Sequence, residues 1–190
     1  MFEDKQKVMY AKLKDGRVEV YAGKDESGNK IIHHHDRIVA RVTEVKEKEF
    51  EYNGEKMRSW TVSLATEYDK AELSLGYSSN FTRSFFNSLL AADFSKPISI
   101  SCYVKEYEGK EYNTPSLWQN DEMLKWQKET MPKTGRVKVG SKEVIDDSEA
   151  IEWTIKLVEE LNVKIHSQKP KVETVAPTED EFLGIDFETL

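Results

Sequence analysis

Ala71-Glu72-Leu73-Ser74-Leu75-Gly76-Tyr77, then Ser78-Ser79, then Asn80-Phe81-Thr82-Arg83-Ser84-Phe85-Phe86-Asn87-Ser88-Leu89-Leu90-Ala91-Ala92: within these 22 residues the apolar period changes from two to nearly four. Leu73, Leu75 and Tyr77 fall on one face of an extended strand, because successive side chains of a strand alternate. Phe81, Phe85, Leu89 and Ala92 fall on one stripe of a helix, and Ser79 or Asn80 can cap it through a side-chain oxygen. Strand passes directly into helix.

The same reading extends in both directions. Upstream, Met57 to Thr66 alternates Trp60, Val62 and Leu64 with Ser59, Thr61, Ser63 and Ala65. Asn53-Gly54 precedes it, a pair suited to a tight hairpin turn, and the partner strand starts at Arg37-Ile38-Val39 and runs to Tyr52. Downstream, Ile98, Ile100, Cys102 and Val104 alternate with Ser99, Ser101, Tyr103 and Lys105. Glu108-Gly109 turns the chain into a strand from Glu111 to Trp118. The order is β-β-β-α-β-β, with one helix between the third and fourth strands. The expected fold is therefore mainly β, the OB-fold β-barrel.

An added N-terminal hairpin is predicted from Lys7–Lys14 and Arg17–Tyr21 around Asp15-Gly16, followed by a polar loop at Gly23–Lys30. Met131 to Gly135 reads as a linker and Arg136 to Val144 as a short extended arm. A C-terminal helix is predicted from about Asp147 to Asn162. Asp146 and Glu149 form its capping box, and Ile151, Ile155, Val158 and Leu161 its apolar stripe. The expected organisation is an N-terminal hairpin extension over 1–32, an OB-fold domain with its C-terminal helix over 33–165, and a disordered acidic tail over 166–190.

Composition limits the function classes. The formal net charge of −7 is unevenly spread: residues 171–190 hold one lysine and six acids, whereas the first 170 residues are nearly neutral at −2. A near-neutral body can still present a basic groove. No run approaches 18 apolar residues, so no transmembrane helix is expected. The start of the chain lacks the pattern of a signal segment, and the single Cys102 cannot form an internal disulfide. A cytoplasmic location follows as an expectation. No phosphate-binding glycine loop or nucleophile motif is present, so the expected protein is not an enzyme and uses no cofactor.

Tyr103, Lys105 and Tyr107 share the polar face of their strand, with Tyr112 and Trp118 of matching parity on the next. Single-stranded nucleic acid is held by such faces: bases stack on aromatic rings and phosphates sit near cations. Arg37, Arg41 and Arg58 are the expected cationic contributors. Trp60 has core parity, as do the helix phenylalanines and Cys102. His33-His34-His35 reads as a solvated loop, with too few further ligands for a metal site. Asn80-Phe81-Thr82 matches a glycosylation sequon but reads as a helix start. In the tail, Asp180, Glu181, Phe182, Ile185, Asp186 and Phe187 mix acids with large apolar residues, as a short docking motif for a protein partner would.

Several stretches resemble the phage-encoded OB-fold single-stranded DNA-binding proteins. These are the β-β-β-α-β-β body, Tyr77-Ser78-Ser79 with Phe86-Asn87-Ser88-Leu89, Pro97-Ile98-Ser99-Ile100, Lys125-Trp126, and the acidic tail with Phe187 near its end. The resemblance covers about residues 36–165 and, separately, the tail. It implies sequence-tolerant single-stranded DNA binding in replication, recombination or repair, recruitment of replication and recombination proteins by the tail, and action in the host cytoplasm. The family's tail commonly ends on an aromatic residue, whereas Glu188-Thr189-Leu190 follows Phe187 here. A homodimer is compatible with this reading, though no residue demands one. The competing reading is an OB-fold assembly factor that binds proteins and no nucleic acid.

Overall fold

The computed structural model describes residues 8–66 and 69–168. Strands β1 (Val8–Lys14) and β2 (Arg17–Lys24) form the N-terminal hairpin. Its turn places Asp15 and Gly16 both at positive φ (50° and 74°), a geometry that glycine tolerates without a Cβ clash. The turns Asn53-Gly54 and Glu108-Gly109 repeat this pattern. The extension is longer than a hairpin, because β3 (Lys30–His35) adds antiparallel to β2. His33-His34-His35, expected in a loop, therefore lie in a strand at the edge of the sheet. The β-branched Ile31 and Ile32 and the Asp25 turn return the chain onto β2. Asp25 Oδ1 accepts from the Ser27 and Asn29 amides, at 2.9 and 2.8 Å.

β4 (Ile38–Tyr52), β5 (Glu55–Ala65) and β6 (Lys70–Gly76) follow as an antiparallel meander. Helix α1 (Asn80–Leu89) comes next, and Ser79 Oγ accepts from the Thr82 amide at its start. β7 (Ile98–Tyr107) pairs with the first part of β4, then β8 (Lys110–Gln119) pairs with β7, and β9 (Glu122–Met123) with β8. β10 (Gly135–Val139) and β11 (Lys142–Asp146) form a separate exposed hairpin where a single extended arm was expected. Helix α2 (Ser148–Ser167) completes the described chain.

The chain is mainly β, but the expected closed barrel is not formed. Nine strands make one open sheet in the order β3-β2-β1-β6-β5-β4-β7-β8-β9. The reason lies at one sheet edge: β1 takes the free edge of β6 in a parallel ladder from Val8↔Lys70 to Lys12↔Ser74, so β8 cannot pair there. The hairpin turn reaches β7 and β8 only by its tip. The Gly16 amide donates to Asn113 Oδ1 at 3.2 Å, and the Cys102 thiol donates to the Arg17 carbonyl at 3.5 Å. The placement of the helix also differs from expectation. With three strands in the extension, α1 lies between the sixth and seventh strands of the chain.

One apolar core lies between the sheet and the two helices. Val42, Val45, Trp60, Val62, Leu64, Leu73 and Leu75 meet Phe85, Phe86 and Leu89 of α1 and Ile98, Ile100 and Leu117 of the following strands. Trp60 is buried, as its parity predicts, and packs edge-on against Phe86. Helix α2 covers this core with Ala150, Thr154, Leu157, Val158, Leu161 and Ile165. The buried face is therefore rotated from the predicted stripe, and Ile155 is exposed. The capping box also does not form: Asp146 Oδ1 accepts from the Ser148 amide, and Asp147 occupies the cap with no side-chain bond. The helix runs through His166, where the polar tail was expected to begin. The tail residues 171–190, with their docking motif, lie outside the described residues.

Two asparagines fasten the irregular parts. Asn87 on α1 is fully buried. Its Oδ1 accepts from the Gln127 and Lys128 amides (3.0 and 2.8 Å), and its Nδ2 donates to the Lys128 carbonyl (2.9 Å). Asn162 on α2 grips Val45 through both backbone groups, at 3.0 and 2.7 Å, immediately after the bulge between Val42 and Glu44.

Candidate nucleic-acid interface

Register decides which predicted side chains can act together. In the β7–β8 ladder, Ser99 pairs Trp118, Tyr103 pairs Thr114, Lys105 pairs Tyr112 and Tyr107 pairs Lys110. Residues directly opposite one another project to the same face. Tyr103, Lys105, Tyr107, Tyr112 and Trp118 therefore share one face, and Ile98, Ile100, Cys102 and Leu117 are buried on the other. The aromatic members are exposed by 42–61%. Lys105 sits beside Tyr112, and Lys110 beside Tyr107, so two of the four rings have a cation as cross-strand neighbour, while Tyr103 faces Thr114 and Trp118 faces Ser99. The Trp118 indole N–H donates to Ser116 Oγ at 2.8 Å, which fixes the ring on the sheet.

β4 continues this face. Val39 pairs Ser99, and Arg37 and Arg41 share the parity of Val39. A shallow depression of about 620 Å³ lies here, lined by Arg37, Val39, Ser99, Ser101 and Trp118 among others. Six of the eight predicted residues thus belong to one continuous sheet face, and Arg37, just before β4, adjoins it.

Arg58 does not. It has the parity of buried Trp60, and its charge is already engaged. Nη1 donates to the Tyr77 hydroxyl at 3.0 Å and to Glu47 Oε1 at 3.4 Å, and the guanidinium lies 4.3 Å from the Tyr77 ring centroid. Tyr77 stacks on Trp60 with centroids 5.3 Å apart. Burial, with the adjacent Glu47 carboxylate, pushes the Tyr77 phenol above its ordinary value. This cluster is a structural clamp at the end of the core.

A second concave surface was not anticipated. The outer faces of β5 and β6 form the floor of a groove of about 480 Å³, with Ser59, Thr61, Glu72 and Ser74. Tyr10, Lys12, Tyr21, Ile32, Lys48 and Phe50 wall it, supplied by the N-terminal extension and the end of β4. Lys48 Nζ lies 3.7 Å from Glu72 Oε2 and 5.8 Å from the Tyr10 ring centroid. The sequence carried a signal for this site. Tyr10 and Lys12 share strand parity, and Phe50 stands among charges where a solvated strand has no use for it. The partners come together only through the parallel β1–β6 pairing, which no local pattern specifies.

The row Tyr10, Lys12, Lys14 on β1 runs from this groove to the Asp15-Gly16 turn, which rests against β7. A Cβ built on Gly16 would lie 3.6 Å from Val104 Cγ2 and 3.8 Å from Tyr103 Cα. Among the described residues, no three His, Cys, Asp or Glu side chains converge as metal ligands. The histidines of β3 alternate across the strand, with His33 opposite Val20 and His34 opposite Glu19. No helix among the described residues is long and apolar enough to cross a membrane. No protein family, no curated protein and no solved structure matches the chain.

Proposed function

We propose that this protein binds single-stranded DNA without strong sequence preference, and that its acidic tail recruits protein partners in replication, recombination or repair. The observation that carries the reading is the open face of β7 and β8, where Tyr103, Tyr107, Tyr112 and Trp118 share one side with Lys105 and Lys110, with Arg41 on the adjoining strand and Arg37 just before it. Stacking on such rings contributes roughly 1–3 kcal/mol per base and tolerates any base, because every base has a π-face. The reading is non-enzymatic: stacking and phosphate contacts make and break no covalent bond.

The connectivity supports the same view. β4, β5, β6, α1, β7 and β8 follow one another as the elements of an OB-fold do, and β4 pairs with both β5 and β7 as the first OB strand does. On this reading β1 stands where the fifth strand would close the barrel. Tail residues Asp180, Glu181, Phe182, Ile185, Asp186 and Phe187 would dock on a basic, apolar-lined pocket of another protein. An origin in a phage or mobile element fits this combination.

Tyr103→Ala with Tyr107→Ala tests the reading. Both rings project from the sheet, so the double variant should keep the thermal stability of the parent and bind single-stranded DNA at least tenfold more weakly, the loss of about one stacked base. Unchanged binding by a folded double variant would remove this face from the site.

A further inference from the structure

We propose that the groove over β5 and β6 is a nucleobase pocket, in which one base of the bound strand enters between aromatic walls and meets a polar floor. The inference rests on the single-strand reading above and deepens it. Three features separate this groove from a generic apolar cleft. Its volume, about 480 Å³, falls within the roughly 300–1,000 Å³ of small-ligand sites. Its walls carry Tyr10, Tyr21 and Phe50, three rings from three strands. Its floor is polar, with Glu72 paired to Lys48 and two hydroxyls left over: Thr61 is 2% exposed and Ser59 8% exposed. Arg83 Nε is the sole fully buried side-chain polar atom without a partner among the described residues. The Ser59 and Thr61 hydroxyls bond to nothing there, so they open onto the groove.

The charges point the same way. Glu19 and Glu72 are half-buried, whereas Lys12 and Lys30 are exposed at the rim; Lys48, also exposed, is paired with Glu72. An anion entering first would meet carboxylates at depth, and a phosphate is therefore held outside. A flat heteroaromatic ring meets hydroxyls and carboxylates that can pair its edge, while its own phosphates lie among the rim lysines. A purely hydrocarbon ligand would leave the floor hydroxyls unpaired, which costs free energy. The arrangement thus fits a nucleotide oriented base inward, phosphate outward.

The test compares a fluorescent oligo(dT) with an abasic oligomer of equal length, titrated by anisotropy with the full chain, Phe50→Ala and Thr61→Val. Phe50 is partly exposed, and Thr61→Val keeps the side-chain shape while removing the hydroxyl. Phe50→Ala should weaken oligo(dT) binding about tenfold, one stacking contact. Thr61→Val should weaken it several-fold, and neither should change binding of the abasic chain. Equal loss on both oligomers, or no loss on either, overturns the pocket while leaving the single-strand reading in place. Failure of the parent protein to bind oligo(dT) removes the reading itself. Photocrosslinking of the unmodified protein to an oligomer carrying 5-iododeoxyuridine gives a readout independent of folding. Adducts at Tyr10, Tyr21 or Phe50 support the pocket, and adducts confined to Tyr103, Tyr107, Tyr112 or Trp118 contradict it.

Discussion

Asn87 and Cys102 show how single residues set the frame. Asn87 satisfies two amides and one carbonyl of the segment after β9 from a fully buried position on α1. Truncation to alanine removes the partners of the Lys128 amide and carbonyl and leaves the Gln127 amide only its 3.4 Å bond to the Asn87 carbonyl; a buried unsatisfied polar group costs about 1–3 kcal/mol. Asn87→Ala should therefore lower unfolding free energy by about 2–4 kcal/mol in urea titration, and a loss under 1 kcal/mol would mean that water replaces the side chain. Cys102 is buried, and desolvation pushes its thiol above the ordinary value. Its folded pKa exceeds its unfolded one, so its contribution to stability is complete below the unfolded pKa and is lost as pH rises through the folded value. Alkylation by N-ethylmaleimide at pH 8 should accordingly be slow in the native protein and fast in urea. Equal rates would show that the thiol is accessible. These residues were legible only in part. The apolar parity of Cys102 follows from its neighbours, whereas the partners of Asn87 lie 40 residues away.

Elements divide by how local their causes are. The turns at Asp15-Gly16 and Asn53-Gly54 were predicted from sequence because Asp-Gly and Asn-Gly are suited to two successive positive φ values. Helix α1 was legible because its stripe and its cap occur together. The face of α2 was misread because Ile151 and Ile155 are larger and more apolar than Ala150 and Thr154. What fixes the buried face is contact with the sheet, and there small residues permit close approach. Asn162 belongs to this contact: it bonds Val45 N–H and C=O at the β4 bulge and replaces ladder bonds that the bulge displaces. Asn162→Ala should cost about 1–3 kcal/mol and raise hydrogen exchange at Val45. Unchanged protection there would mean that the bulge holds itself.

At the scale of the whole molecule, the aromatic-cationic face of β7 and β8 was readable because pairing and parity are both local consequences of one hairpin. The groove was not, since it requires a strand near residue 10 to lie parallel to one near residue 72. That same pairing explains why the sheet stays open. The expectation of a closed barrel followed strand order and could not anticipate that the N-terminal extension would occupy the closing edge. The net negative charge of the chain is likewise uninformative about the face, because register gathers Lys105 and Lys110 among the rings of β7 and β8, with Asp36 and Asp121 only at the Arg37 end, while six acids follow residue 171.

The central claim is that this face holds a single strand by stacking and by phosphate neutralisation. The most direct measurement is fluorescence anisotropy of a labelled oligo(dT) of ~30 nucleotides across a range of salt concentrations, with duplex DNA of equal length beside it. Tight binding to the single strand is expected, with a log–log salt slope of about −2 to −3, corresponding to roughly three to four phosphates neutralised. Binding to the duplex should be far weaker. No binding of oligo(dT) at low salt, or binding indifferent to salt, would contradict the account and favour a protein-assembly role for the same sheet.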